Sequence, residues 1–240
     1  MCYKTSTPNK DQLEGYFNKQ QVKQNMVVDN FDPYFHADGF LRPYLPFTAN
    51  EEENRVGVAR WKLLPFIVKN EEEANKYANT LNARCEDVFD KFSYKHYIGK
   101  THGLLWVNGF FEPHRPTPKV SVPYYIRAIN SEPFTLGCIY ANWVNKDTGE
   151  LIRTFSIITT PPNKLLSEIH TEGQRMPLVI PPESRTAWLH ATKTDDIIDL
   201  MKPLPDGYLI GYQVNNIINK ERGLNTAETL LPLQNSMLSL

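Results

Sequence analysis

The second residue of the chain, Cys2, has chemistry that depends on its position. If Met1 is removed, Cys2 carries an α-amine and a thiol on adjacent carbons, a 1,2-aminothiol that no internal cysteine offers. The α-amine has a reference pKa of about 7.7–8 and the thiol one of about 8.5, so both are partly deprotonated near neutral pH. Such a pair attacks carbonyl carbons and closes a five-membered thiazolidine ring with an aldehyde. A cysteine in second place also occurs by accident at disordered termini, so Cys2 alone does not establish a function.

Two further stretches carry polar residues beside predicted elements of secondary structure. Asn82-Ala-Arg-Cys-Glu86 directly follows a predicted helix, and by itself it is typical of a helix boundary that Asn82 caps. Glu112 ends a strand that is otherwise apolar and follows two phenylalanines. Burial there would raise the pKa of its carboxyl toward neutrality, as a general acid or base requires. A solvated carboxylate at a strand end is the alternative.

A fourth stretch combines a histidine with an arginine shortly before an apolar segment, His170 to Pro177. His170 could transfer protons near pH 7, and Arg175 could hold a phosphate or a carboxylate. A lone surface histidine is more often inert. The functional interpretation therefore depends on the combination of the two side chains.

The elements that must position these residues are predicted to be mostly strands joined by hairpins and short helices. The predicted strands are 56–68, 103–111, 120–129, 134–144, 151–160 and 209–218, and the predicted helices are 71–81, 163–170, 182–190 and 194–201. This alternation predicts a single β-rich α+β domain over residues 1–220, with an antiparallel sheet or open barrel and short flanking helices. Residues 221–240 are predicted to be a C-terminal tail.

The bulk composition excludes several classes of protein. The chain has 240 residues, 41% of them hydrophobic, and a net charge of −1, so any nucleic-acid site must be a local basic patch. The three cysteines form neither a metal-binding spacing nor an even disulfide framework. No apolar run approaches the roughly 20 residues of a membrane span, and no secretory signal is recognisable. We expect a cytoplasmic protein that acts without metal or organic cofactor.

Five motifs then occur in one order along the chain. They are Cys2, Trp61-Lys-Leu-Leu-Pro65, Asn82-Ala-Arg-x-Glu86, Gly109-Phe-Phe-Glu112, and His170 followed by Arg175-Met-Pro177. Together they resemble the SRAP family, the SOS-response-associated peptidases understood as abasic-site-processing proteins. The resemblance runs from residue 2 to about residue 217.

The resemblance implies a specific activity. Family members expose the N-terminal cysteine, in some cases by autocatalytic removal of the initiator methionine. They bind single-stranded DNA and join the ring-opened aldehyde of an abasic deoxyribose in a stable thiazolidine cross-link. We therefore expect single-stranded DNA with abasic sites as the partner, location at the nucleoid when bound, and a monomer.

The resemblance also assigns roles to residues of this chain. Cys2 is the nucleophile through both its amine and its sulfur, and Asn82 orients it together with the sugar. Glu112 moves protons during Schiff-base formation and ring closure, and His170 assists opening of the sugar ring. The DNA-binding residues implied are the phosphate-contacting cations, the base-stacking tryptophan and the motif that follows the histidine: Lys4, Trp61, Arg84, Arg175, Met176 and Pro177.

The chain departs from the family pattern at several places. It has Tyr3-Lys4 where members commonly have Gly-Arg. The phosphate would therefore meet the single charged ammonium of a lysine, which cannot form the two parallel hydrogen bonds of an arginine. Pro113 and Ile67 stand where two tryptophans are usual. Four residues, 171–174, separate the histidine from the Arg-Met-Pro motif, where one is common. These differences concern DNA affinity more than covalent chemistry.

Two alternatives belong to other functional classes. An N-terminal-nucleophile hydrolase, such as a class II glutaminase domain, also begins with Met-Cys, but needs loops that clamp its substrate and form an oxyanion hole. Asn108-Gly109 is the one hint of such a loop. A non-catalytic single-stranded DNA-binding module would retain Met1 in front of Cys2.

Overall fold

The computed structural model describes residues 2–20, 26–117, 119–215 and 223–239 and shows a mixed α+β protein rich in sheet. The strands are β1 (Lys4–Ser6), β2 (Val27–Val28), β3 (Ala37–Asp38), β4 (Tyr44–Ala49), β5 (Arg55–Trp61), β6 (Asn82–Arg84), β7 (His102–Val107), β8 (Gly109–Thr117), β9 (Val120–Ala128), β10 (Phe134–Val144), β11 (Leu151–Thr160), β12 (Met176–Pro177), β13 (Val179–Ile180), β14 (Leu209–Val214) and β15 (Pro232–Ser239). The α-helices are α1 (Lys10–Lys19), α2 (Glu71–Lys76), α3 (Lys164–Ile169), α4 (Arg185–His190) and α5 (Thr194–Leu200). The predicted fold class is confirmed.

Five strands form a closed, barrel-like ring in the order β11, β10, β7, β4 and β5. The ring closes through a parallel pairing of β5 with β11, in which Trp61 lies opposite Phe155. Alternate residues of β7 and β11 belong to two cores: Leu105 and Ile157 to the main cluster, Leu104 and Ile158 to a second cluster. Because side chains alternate between the two faces of a strand, burial of both faces gives these strands their uninterrupted apolar sequences.

A second sheet carries the N-terminal strand in its interior, in the order β15, β14, β9, β8, β1 and β3. The chain passes from the ring into this sheet at Asn108, between β7 and β8, so the single strand predicted over 103–111 was wrong. Gly109 permits the close passage, because a Cβ there would lie 2.4 Å from the Ile126 carbonyl oxygen. The bend turns β8 toward β1 and thereby brings Glu112 to the N-terminus.

The helices differ from the prediction in two places. Helix α1 was not predicted, although Asn9 and Gln12 form a capping box and its buried face presents Leu13 and Phe17. Helix α2 ends at Lys76 rather than near residue 81. The ammonium of Lys62 donates to the carbonyl oxygens of Ala74 and Tyr77, and the chain leaves α2 in an extended conformation.

The C-terminal segment is not an irregular tail throughout, because β15 pairs antiparallel with β14. The sequence suggested a strand over 209–218. It is β14, which ends at Val214, and residues 216–218 lie outside the described part of the chain. The domain boundary at residue 220 stays a prediction. No helix among the described residues is long and apolar enough to cross a membrane.

Candidate active site

Cys2 lies two residues before β1 and is fully buried in the main hydrophobic cluster, to which both the second sheet and the ring contribute. The side-chain amide of Asn82 donates a hydrogen bond of 2.8 Å to the carbonyl oxygen of Cys2. The Cys2 thiol lies 3.8 Å from the carbonyl oxygen of Lys4, to which it donates. Burial, followed by the negative charge of Glu112, raises the pKa of the Cys2 thiol well above its ordinary value. The thiol is therefore protonated at neutral pH and needs a base before its sulfur can attack.

Asn82 is held by a strand rather than by a helix boundary. It begins β6, which pairs parallel with β11 at Ile157, so the cap interpretation was wrong. The hydroxyl of Tyr94 donates 2.9 Å to the main-chain oxygen of Asn82 and fixes the strand from the other side. Oδ1 of the Asn82 side chain is buried without a hydrogen-bond partner among the described residues. That oxygen is an acceptor available to an amine or a hydroxyl at the site.

Glu112 lies on β8 directly after the Lys4–Phe111 pair, next to the N-terminal residues. Its side chain is only 1% exposed. Burial raises its pKa from the ordinary value of 4.5 to about 7, in the direction that its apolar neighbours predicted. A carboxyl with this pKa is present in both protonation states near neutral pH, so it can donate as well as accept a proton.

His170 caps the C-terminal end of α3 and faces Glu112. Its Nδ1 lies 2.9 Å from the main-chain oxygen of Arg175 and 3.5 Å from Oε2 of Glu112. A carbonyl oxygen can only accept, so Nδ1 carries the proton and Nε2 the lone pair when the ring is neutral. Burial lowers the pKa of His170, which favours this neutral form.

The loop 171–174 wraps around the His170 ring. A Cβ at Gly173 would lie 2.0 Å from Nε2 of His170, so only a glycine leaves room for the imidazole. The loop is attached to the end of β8, where Arg115 forms a 2.9 Å ion pair with Glu172 and a hydrogen bond with Thr171. The insertion that the sequence placed between the histidine and Arg-Met-Pro therefore shapes the imidazole site.

Arg175 is engaged inside the protein. Its guanidinium lies 2.5 Å from Oε1 of Glu86 and also donates to the main-chain oxygen of Thr159. Partial burial raises the pKa of Glu86, but the hydrogen bond and the charge of Arg175, together with hydrogen bonds from the main chain and from Cys85, outweigh it and the pKa falls to about 2. Glu86 is therefore ionised, and the pair ties β6 to the segment that follows the loop. A phosphate contact by Arg175 would compete with this ion pair and stays a prediction.

The predicted DNA-binding side chains do not form one surface. Trp61 is completely buried, donates 2.9 Å to the Leu81 carbonyl and stacks on Phe155, so a base cannot stack on it here. Met176 and Pro177 are buried in β12. Arg84 is half exposed near two carboxylates, and Lys4 is half-buried in β1; their predicted contacts with phosphates stay predictions.

Several residues of the site gave no usable signal in the sequence. Tyr94 is one of many aromatic residues between 89 and 97, and Thr159 is one of several threonines at the end of β11. Glu86 stood within a motif but without an assigned partner. Gly173 was visible as a glycine in a loop, but its contact with His170 depends on the fold.

The stability of the protein should depend on pH because Glu112 is buried. The pKa of Glu112 in the folded protein, about 7, exceeds the ordinary 4.5. The stability that the protonated carboxyl contributes is therefore fully present below about pH 4.5 and is lost as the pH rises through 7. Glu112→Gln keeps the shape without the charge. We expect its melting temperature to match that of the wild type near pH 4 and to exceed it by a few degrees above pH 7. Thermal melts across this range measure the difference.

Glu150→Gln is the matched control, because Glu150 is exposed in the β10–β11 turn. Its melting curve should follow that of the wild type at every pH. A constant difference between Glu112→Gln and the wild type over the whole range would show that Glu112 titrates at its ordinary pKa.

Fold and site together define a β-rich α+β protein with a cysteine-centred candidate active site, in which Asn82 holds the buried Cys2 and the buried carboxyl of Glu112 lies 3.5 Å from the imidazole of His170. The described residues contain no group of three or more His, Cys, Asp or Glu side chains that could hold a metal ion. The family model described as "SOS response associated peptidase (SRAP)" matches residues 1–221, and the chain belongs to this family.

Relatives and solved structures agree with this assignment. The chain is 32% identical over 205 residues to "Abasic site processing protein YobE" of Bacillus subtilis, covering 82% of this chain and 90% of that one. It is 26% identical to "Abasic site processing protein HMCES" of Pongo abelii, over 77% of this chain and 59% of that one. A crystal structure of a Bacteroides thetaiotaomicron protein has a TM-score of 0.79 and 28% identity and covers 97% of this chain and 100% of that one.

Proposed function

We propose that this protein processes abasic sites in single-stranded DNA by forming a covalent thiazolidine cross-link through Cys2 once Met1 is removed. The observation that carries the proposal is the position of Cys2: Asn82 holds its carbonyl oxygen, the charge of Glu112 acts on its thiol, and His170 lies 3.5 Å from Glu112. The names of the relatives, which describe abasic site processing, support the substrate class.

The reaction balances without an external oxidant or reductant. The sugar opens when a proton leaves the C1′ hydroxyl and another reaches the ring oxygen, which exposes the aldehyde. The Cys2 amine attacks the aldehyde carbon, and loss of water gives a Schiff base. The sulfur then adds to the imine carbon, its proton passes to the nitrogen, and the ring closes. The net product is the cross-link plus one water.

The polar side chains of the site match the needs of these steps. Glu112, with a pKa of about 7, accepts the thiol proton and donates protons during the loss of water. The Nδ1–H of His170 donates to the Arg175 carbonyl oxygen, and the ring, with Nδ1 3.5 Å from Oε2 of Glu112, serves the opening of the sugar ring. Oδ1 of Asn82, which has no hydrogen-bond partner among the described residues, accepts a hydrogen bond from the Cys2 amine.

Removal of Met1 by the same groups would explain the peptidase label of the family. We place the protein in the cytoplasm as a monomer, at the nucleoid when bound to DNA. The sequence feature that suggested an oxyanion-hole loop, and so a hydrolase, was Asn108-Gly109. The side chain of Asn108 instead donates to the Thr7 carbonyl and occupies the bend between β7 and β8.

The decisive experiment is an intact-mass measurement before and after incubation with a single-stranded oligonucleotide that carries one abasic site. We expect a starting mass without Met1 and then a gain equal to the oligonucleotide less one water. A processed N-terminus without an adduct would favour an N-terminal-nucleophile hydrolase, to be assayed on glutamine and small amides. A retained Met1 without an adduct would favour a non-catalytic DNA-binding module.

Gly173→Ala should impair the reaction through His170. The added methyl cannot coexist with the imidazole, which must turn away from Glu112. We expect the cross-linking rate to fall about tenfold or more, with a changed pH profile, toward the behaviour of His170→Ala. Single-turnover rates between about pH 5 and pH 9 measure both quantities.

The control for this variant is Gly15→Ala, because Gly15 lies in α1 with no atom near a prospective Cβ. Its rate should equal that of the wild type. In a His170→Ala background, Gly173→Ala should add nothing, since both changes remove the same interaction. An additive loss in the double variant would mean that Gly173 acts independently of His170.

A further inference from the structure

Three aromatic side chains form a cluster on the surface, away from the buried Trp61. Phe66 is 66% exposed and Phe92 is 45% exposed. Their ring centroids lie 6.3 Å apart, and the ring of His96 is 6.0 Å from Phe66 and 5.4 Å from Phe92. We call Phe66, Phe92 and His96 the aromatic platform. Large aromatic rings held together in water indicate a binding surface rather than core packing.

Cationic side chains accompany the platform. The ammonium of Lys95 lies 6.0 Å from the ring centroid of Phe92, and no described carboxylate pairs with it. Lys91 precedes Phe92 and lies four residues before Lys95, in a helical turn closed by the bond from Lys95 N–H to the Lys91 carbonyl oxygen. The helical spacing puts these two cations side by side next to the exposed rings. Rings with adjacent cations fit a polyanion whose bases are unstacked.

The platform is continuous with the candidate active site. The segment that carries Phe92 and His96 also carries Tyr94, whose hydroxyl holds the main chain of Asn82. Asn82 in turn holds Cys2. A second connection runs along the surface, where Asp87 accepts from Lys91 at 2.8 Å and lies 3.9 Å from the exposed Arg84. A strand that leaves the site past Arg84 therefore meets Lys91 and the platform next.

We propose that the aromatic platform stacks bases of the single strand beside the lesion, while Lys91 and Lys95 contact its phosphates. The proposal rests on the proposed function, since it places the strand that enters the Cys2 site. Stacking on aromatic rings holds single strands without reading their sequence, because every base has a π-face. The platform takes the stacking role that Trp61 cannot take in its buried position.

The test uses the double variant Phe66→Ala/Phe92→Ala and an undamaged single-stranded oligonucleotide of about 15 nucleotides. Its Kd, measured by fluorescence anisotropy, should rise about 10- to 100-fold, because each lost stacking contact weakens binding by roughly tenfold. In a second oligonucleotide that carries one abasic site, a 2-aminopurine beside the lesion should change its fluorescence on binding to the wild type but not to the variant. Ile129→Ala, which removes an exposed apolar side chain from the turn after β9, should leave both readings unchanged.

A second substrate separates this proposal from the proposed function. 2-Deoxyribose 5-phosphate offers the aldehyde without any base that could stack, so the double variant should react with it at the wild-type rate. An unchanged Kd for the long oligonucleotide would refute the role of the platform in DNA binding. Its exposed rings would then be interpreted as a contact surface for a protein partner. Slower reaction of 2-deoxyribose 5-phosphate would show that the variant disturbs Asn82 instead. Absence of cross-linking in the wild type would refute the proposed function, while the anisotropy experiment would still decide the platform.

Discussion

Replacing Cys2 with alanine is expected to abolish the stable cross-link to an abasic site in single-stranded DNA, a loss of about a thousandfold or more. The reason is chemical, because alanine in second place still offers an α-amine but no sulfur. A Schiff base forms and hydrolyses, and the ring cannot close. Denaturing electrophoresis after incubation with a labelled abasic oligonucleotide measures the product.

Treatment with borohydride distinguishes a Schiff base from a closed thiazolidine ring. It reduces an imine, so the Cys2→Ala variant should give a product only when the reductant is present, whereas the wild type should need none. Cys85→Ala is the matched control, because Cys85 is half-buried near Arg175 and has no part in the proposed reaction. A stable cross-link by Cys2→Ala without reductant would refute the aminothiol mechanism.

The fold should tolerate the Cys2 change. The side chain is fully buried, so its truncation leaves a small cavity and costs on the order of 1 kcal/mol of unfolding free energy. The variant should therefore melt a few degrees lower and keep its circular dichroism spectrum. Wild-type affinity for undamaged single-stranded DNA would show that the loss lies in chemistry and not in folding.

Glu112→Ala is expected to slow cross-linking about 10²- to 10⁴-fold while leaving the Kd for DNA nearly unchanged. Glu112 is almost completely buried and cannot contribute much to a DNA-binding surface. Its carboxyl, with a pKa of about 7, is the proton acceptor beside the protonated Cys2 thiol. The rate of the wild type should show an inflection near pH 7 that the variant lacks. Single-turnover kinetics and anisotropy measure rate and affinity separately.

Chemical rescue distinguishes proton transfer from a structural role. Added formate can enter the space left by Glu112→Ala and should restore part of the rate, whereas it should not accelerate Glu112→Gln, in which that space is filled. Loss of DNA affinity in parallel with the rate would make Glu112 a structural residue. Failure of formate at every concentration, with the fold intact, would remove it from the proton-transfer steps.

Local patterns in the sequence predicted three of the strands well, whereas the strand predicted over 56–68 is β5 and ends at Trp61. The segments 120–129, 134–144 and 151–160 are close to β9, β10 and β11, because hairpin turns and β-branched residues act over a few residues. The direction of the pKa shift of Glu112 also followed from its apolar neighbours. Taken by itself, the stretch around Asn82 was typical of a helix boundary, because a short parallel strand such as β6 exists only through its pairing with β11.

The sequence by itself determined the chemistry that Cys2 can offer, the family and the β-rich class of the fold, because these depend on residue types and local periodicity. Only the tertiary structure decided which side chains are exposed. It buried Trp61 behind the pairing of β5 with β11 and joined Arg175 to Glu86, and it brought Phe66 next to Phe92. Periodicity shows which residues share a face of an element, but what covers that face depends on contacts between residues far apart in the chain.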